Sequence, residues 1–397
     1  MRKMLIYAIC VLCACAACRT DDDIVMPTVT AVAPGGVQGD TLKTDSVLTV
    51  TEYRGLYVLC EGNMGANKAT LDYLDLQTGQ YHKNIFPSRN PGQVKELGDV
   101  GNDCKIYGSR LWLVINSSNK VEVCSADSAF SLGHVNVPNC RYLAFDGGYA
   151  YVSSYVGKVG GASVLGSVYK IDTLTLRIAG QVTVGYQPEE MAILDGKLYV
   201  ANSGGYSAMQ GMGYDNTVSV IDLATFQEER KISVAPNLFR LRADRYGRLW
   251  VTSRGDYGAN PPRLYLLQRQ AGQMQVTQTF EKPVSDLAFR GDSLFFIGVD
   301  NTHDEADYYC SGIINLRSCQ VVSDQLIENL DDIETAYGLM VHPLTGDIFV
   351  MDATNYVSSG QMFCYDQQGH FKWKVSTGDI PGHACWNVKR KTIKIEK

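Results

Sequence analysis

One three-residue phrase, apolar then aromatic then apolar, returns seven times along this chain: Leu56 Tyr57 Val58, Leu111 Trp112 Leu113, Ala150 Tyr151 Val152, Leu198 Tyr199 Val200, Leu249 Trp250 Val251, Leu294 Phe295 Phe296 and Ile348 Phe349 Val350. The returns lie roughly 40 to 55 residues apart, the period at which all-β repeat arrays place one blade after another. Most are preceded by a tight-turn pair (Asp146 Gly147, Asp195 Gly196, Tyr246 Gly247, Gly291 Asp292, Thr345 Gly346) and, before that, by an apolar run such as Met191 Ala192 Ile193 or Leu287 Ala288 Phe289. Strand, tight turn, aromatic strand is a hairpin, because the turn glycine supplies the positive φ that a two-residue loop demands.

A polar loop and a third strand follow each hairpin, as in Val121 Glu122 Val123 or Thr217 Val218 Ser219 Val220 Ile221 Asp222, and a fourth strand closes the unit. Four antiparallel strands per repeat and no amphipathic helix predict an all-β chain, a seven-bladed β-propeller. The first phrase, at Leu56, lacks an inner strand before it, whereas Gly382 His383 Ala384 Cys385 Trp386 Asn387 Val388 reads as an inner strand with no blade to follow. The C-terminal strand is therefore expected to complete the first blade and close the ring, which removes exposed sheet edges. The aromatic residues of the phrases are read as blade packing rather than ligand contacts.

The chain opens with Met1, Arg2, Lys3 and an apolar run to Ala17, then Cys18 and three aspartates. The run is too short to span a membrane stably and reads as a signal peptide, residues 1–17. Cys15 Ala16 Ala17 before Cys18 resembles a bacterial lipobox, so Cys18 is the expected lipidation site, with membrane attachment worth about 0.8 kcal/mol per buried methylene. Residues 18–52, rich in Thr, Val, Asp, Gly and Pro without periodicity, read as anchor and flexible tether, leaving 53–397 for the propeller.

A net charge of −6 with no basic stripe excludes nucleic acid as the natural partner. Eight of the twelve cysteines fall in the propeller, with no zinc-type pair; Cys310 with Cys319, and Cys60 with Cys385, are the expected disulfides. The six histidines are dispersed, and the acidic group Asp300, Asp304, Glu305 and Asp307 lacks the spacing of a calcium-binding EF-hand loop. No metal site and no required cofactor are expected.

The loops after the aromatic strands, 61–69, 153–166, 202–216, 253–263, 299–311 and 352–361, are long, while the hairpin turns stay short. Insertions gathered on one side of a repeat array mark a binding face. These loops carry Tyr155, Tyr206, Tyr214, Tyr257 and Tyr356 among Gly, Ser and Asn, with Arg254 nearby; aromatic side chains with polar tips offer contact area at low entropic cost. Aligned inner-strand positions place Asn102, Arg141, Glu189, Phe239, Ser285, Tyr337 and His383 around the channel mouth. Such a ring can bind a polar ligand but lacks a nucleophile, base and orienter as a set, which points to recognition without catalysis.

The phrases Gly196 Lys197 Leu198 Tyr199 Val200 Ala201 Asn202 and Asn216 to Asp222 resemble the repeat of YVTN or YncE-like propellers. Leu59 Cys60 Glu61 Gly62 Asn63, Lys105 to Ser109 and Asn116 to Lys120 are similar to the form found in surface lipoproteins of Bacteroidota. Within that group the resemblance is to the BtuG-type cobalamin-capturing lipoproteins. It implies an outer-membrane, surface-exposed protein that binds cobalamin (vitamin B12) or a related corrinoid and passes it to a TonB-dependent transporter of the BtuB type. The repeat specifies a scaffold only, and a binder of glycan or another nutrient, an adhesion or scaffold propeller, and a propeller lactonase or lyase stay open as alternatives.

Overall fold

Each return of the aromatic phrase is the second strand of an antiparallel sheet. The computed structural model describes residues 27–394 apart from 34, 37, 44–46, 94, 159–160 and 301–307; the signal segment, Cys18 and the acidic residues 304, 305 and 307 lie outside them. Six four-stranded sheets follow one another, starting at Gly101, Cys140, Pro188, Leu238, Val284 and Ala336, each in simple consecutive order. The seventh sheet joins the ends of the chain. Strand Pro381–Lys394 pairs antiparallel with Val47–Cys60, from Cys60 opposite Pro381 to Val47 opposite Lys394. The expected closure by the C-terminal strand is present, and the protein is a seven-bladed β-propeller.

The tether boundary moves. Residues 18–52 read as a flexible spacer, yet Gln38–Lys43 pairs with Leu48 to Tyr53, and Thr28–Ala31 adds to the outer edge of Gln80–Lys83. The closing strand runs beyond the blade and leaves a row of backbone donors and acceptors to be satisfied. The β-branched run Thr49 Val50 Thr51 suits that task, and the propeller's sheet begins at Thr28 rather than near residue 53.

Seven buried apolar clusters fill the seven blade-to-blade interfaces, and each phrase contributes its aromatic ring to one: Tyr57, Trp112, Tyr151, Tyr199, Trp250, Phe295 and Phe349. All seven are buried, so blade packing accounts for the repeat.

Neighbouring inner strands are too splayed to pair, and acidic side chains bridge them instead. Asp103 accepts the backbone N–H of Leu143 (2.9 Å), Glu190 that of Leu241 (3.1 Å) and Asp286 that of Leu339 (2.8 Å), in alternate blades. The cations Lys105, Arg240 and Arg242 neutralise these carboxylates inside the channel. On the outside of the seam, buried Asp72 accepts hydrogen bonds from the Tyr81 hydroxyl (2.9 Å) and the N–H groups of Asn84 (2.8 Å) and Gly378 (2.9 Å), tying the first blade to the last.

Neither expected disulfide forms. Register places Cys385 opposite Tyr57 while Cys60 lies opposite Pro381; four positions along a strand separate them by about 13 Å, beyond disulfide reach. Cys385 instead packs beside Cys104 in the interface of the first two blades. Cys310 lies mid-strand opposite Gly298, whereas Cys319 sits past the turn that follows Asn315.

His342 is 2% exposed, and its Nδ1 accepts the N–H groups of Leu344 (3.2 Å) and Thr345 (3.1 Å), so the ring is held neutral with its proton on Nε2. Burial pushes its pKa down to about 4, below the ordinary value near 6.5. A histidine depressed on folding contributes its full stability above pH ~6.5, and that contribution is lost as pH falls toward 4. We expect stability to drop by on the order of 1–2 kcal/mol between pH 7 and 4.5 from this residue. His342→Asn, which keeps an acceptor for the same N–H groups, should flatten that part of the profile in urea denaturation at several pH values.

Candidate functional site

The inner strands are reached through a repeated backbone bend. Val100, Asn139, Gln187, Asn237 and Ile380, each just before an inner strand, adopt φ between 43° and 60°. Each turns its carbonyl to accept the N–H of the first residue after the second strand of its blade: Asn116, Tyr155, Ser203, Arg254 and Glu61, at 2.7 to 3.1 Å. The bend, strained for Val and Ile, fixes two concentric rings on one face. The inner ring holds Asn102, Arg141, Glu189, Phe239, Ser285, Tyr337 and Gly382; the outer holds the first residues of the long loops.

On one side of this mouth Phe239, Ser253, Arg254, Tyr257, Ser285, Tyr337 and Tyr356 line a pocket of about 270 Å³ contributed by three blades. The Arg254 guanidinium lies over the Phe239 ring, its Cζ 3.4 Å from the centroid. Tyr337 meets Tyr356 edge-on at 5.7 Å and donates its hydroxyl to Glu61 (2.9 Å); burial holds that phenol well above its ordinary pKa. Tyr257 and Tyr356 are 59% and 50% exposed, so their rings face the solvent opening.

The other side of the mouth is already satisfied. Arg141 pairs with buried Glu189 at 3.2 Å, the Tyr155 hydroxyl donates to the same carboxylate, and Arg141 lies 4.9 Å from the centre of the Tyr155 ring. Tyr206 packs edge-on against Tyr155 at 5.5 Å. Burial pushes the Tyr155 phenol well up. Asn102 spends its amide on the Arg141 carbonyl (2.7 Å) and acts as a strut. Tyr214 lies close enough to Tyr257 and Asp256 that they add to the upward push of burial on its phenol.

His383 takes a different place from the one expected. The mouth position in the first blade is Gly382, and His383 sits one layer deeper, 6% exposed, 3.5 Å from Glu61 and edge-on to Tyr142 at 5.8 Å. The closing strand begins at Pro381 with the same bulge as the other inner strands, so the residue equivalent to Asn102, Ser285 and Tyr337 is Gly382, and His383 falls one position later, in line with Asp103 and Asp286. Tyr142, Arg240 and His383 form a floor beneath the mouth. Below it, a cavity of about 390 Å³ opens on the hairpin-turn side and contains the acid-and-base network of the channel.

Glu61 was not among the residues expected to form the site. Its position, first after the second strand and so equivalent to Tyr155 and Arg254, is the signal that finds it. The described residues hold no cluster of histidine, cysteine and carboxylate able to bind a metal ion.

No protein-family model matches the chain, and no curated protein matches it. Solved structures do. Hydrazine synthase from Kuenenia stuttgartiensis is similar over 74% of this chain and 95% of its own, with TM-score 0.59 and 16% identity. A quinoprotein alcohol dehydrogenase-like protein from Bacteroides thetaiotaomicron matches over 86% and 84%, with TM-score 0.58 and 12% identity. The periplasmic gluconolactonase of Pseudomonas aeruginosa matches over 85% and 99%, with TM-score 0.58 and 14% identity. At such identities the likeness is one of fold: this chain shares the β-propeller architecture of these proteins.

Proposed function

We propose that this protein is a lipid-anchored capture protein of the outer membrane, of the YncE-like, BtuG-resembling kind. It binds cobalamin or a related corrinoid at the loop-face mouth and passes it to a TonB-dependent transporter of the BtuB type, without turning it over. The observation that carries the reading is the convergence of Phe239, Arg254, Tyr257, Ser285, Tyr337 and Tyr356 from three blades on one pocket. Aromatic faces with hydroxyl tips suit a large flat ligand edged with amides, and the nearby carboxylates Glu61 and Glu189 are engaged by neighbours rather than poised as acid or base. The pocket is smaller than a corrinoid, so the ligand sits across the mouth with one part inserted.

Calorimetric titration of the protein with cyanocobalamin tests this. We expect stoichiometric binding, weakened by about tenfold or more in Tyr257→Ala, since an aromatic anchor is worth at least ~1.4 kcal/mol. Absence of heat and of any absorbance change for every corrinoid tried would remove the reading. A glycan is the second reading, favoured by the exposed rings of Tyr257 and Tyr356, and predicts binding of oligosaccharide instead.

A further inference from the structure

The mouth holds a cation to which no described residue supplies an anion. Among the described residues, every other arginine that is not largely exposed directs its guanidinium to a carboxylate or a carbonyl: for example Arg141 to Glu189, Arg240 to Asp286, Arg248 to Asp244, and Arg110 to the Thr173 carbonyl. Arg254, half-buried, has only the face of Phe239. The nearest acid along the chain, Asp256, is consumed by its own loop, accepting the N–H groups of Gly258 (3.0 Å) and Asn260 (2.8 Å) and the Asn260 amide (2.6 Å). Glu61 is occupied by Tyr337, and among the described residues no carboxylate lines the pocket.

We infer that the ligand of this mouth carries a phosphate ester, seated on the Arg254 guanidinium, with an adjoining flat group against Tyr257 and Tyr356. This deepens the capture reading above and rests on it for the existence of a ligand at this face. A guanidinium fork presents two parallel donors to an oxyanion, and stacking on Phe239 holds the fork still before the ligand arrives, which reduces the entropy lost on binding. A planar carboxylate would be satisfied by that fork alone. The pocket offers more: the hydroxyls of Ser285, Tyr257 and Tyr356 meet no hydrogen-bond partner among the described residues, as a tetrahedral anion with further oxygens requires.

The test uses two pairs of flat probes, one member of each lacking the phosphate: cyanocobalamin against dicyanocobinamide, which lacks the phosphate together with its ribose and benzimidazole, and flavin mononucleotide against riboflavin, which lacks the phosphate alone, each titrated into the native protein, Arg254→Gln and Arg254→Lys. The expected result is that the phosphate-bearing member binds about 10- to 100-fold more tightly, the size of a charge-assisted hydrogen bond. Arg254→Gln should abolish that difference with circular dichroism unchanged, Arg254→Lys should restore part of it, and inorganic phosphate should compete. Cobalamin and cobinamide binding with equal affinity would overturn the phosphate subsite and leave corrinoid capture standing. Arg254-dependent preference for flavin mononucleotide with no corrinoid bound would support the subsite and remove the corrinoid. Equal or absent binding across both pairs overturns the inference.

Discussion

Replacing Asp286 with alanine is expected to destabilise the protein by about 3–5 kcal/mol, the range for leaving a buried charge uncompensated. Asp286 is 3% exposed, and Arg240 beside it is 2% exposed. Its Oδ1 lies 3.2 Å from Arg240 Nε and 2.9 Å from Arg242 Nη2, while Oδ2 accepts the Leu339 N–H. Burial alone would lower the Arg240 pKa; the Asp286 carboxylate, with Tyr142, Glu190 and Tyr337 adding to it, more than reverses this, so the guanidinium stays charged in the channel. Alanine removes the counter-charge and orphans a buried N–H in the same step. Asp286→Asn keeps an acceptor for Leu339 but not the charge and should lose roughly half as much. Guanidinium chloride denaturation measures both, and a change under ~1 kcal/mol for the alanine variant would show that water replaces the carboxylate freely.

Removing the closing strand should have the larger effect. Truncation after residue 380 deletes the inner strand of the first blade and exposes the edge of Leu56 to Cys60, which it covers. It also strips Cys385 from the cluster between the first two blades and Trp386 from the side of the cluster between the seventh and first. The loss is expected to be comparable to the whole ~5–15 kcal/mol stability of a domain. The truncated chain should therefore lack a cooperative thermal transition and should self-associate through its open edges on size exclusion. Truncation after residue 388 leaves the blade intact and removes only the extension paired with 47–52; a cooperative transition within a few degrees of the native one is the expected result.

The architecture was legible because its cause is local and repeated. An aromatic strand after a glycine turn can bury its ring only against the next blade, and seven such returns require seven interfaces. The lone inner strand around Ala384 announced the closure for the same reason. The Cys60–Cys385 expectation failed because adjacency of two strands does not set which residues face each other: the register puts Cys385 opposite Tyr57, three residues short of Cys60. The strands within the 18–52 spacer carry no alternation of their own: Val47 to Glu52 follows the long partner Pro381–Lys394, Gln38–Lys43 adds to that strand's other edge, and Thr28–Ala31 adds to Gln80–Lys83. Of the residues lining the candidate pocket, Phe239 and Tyr337 were placed by blade alignment and Arg254, Tyr257 and Tyr356 by the length and composition of the loops. That Glu189 neutralises Arg141, while no described carboxylate pairs with Arg254, depends on side-chain geometry across blades, which spacing along the chain does not contain.

The most direct test of ligand capture at the loop face is hydrogen exchange of the protein with and without cyanocobalamin. Slowed exchange in 253–258, 335–337 and 353–357, with the hairpin turns at Gly147, Gly196 and Gly291 unchanged, is the predicted result. Unchanged exchange at the mouth, or protection confined to the hairpin-turn side, would contradict it.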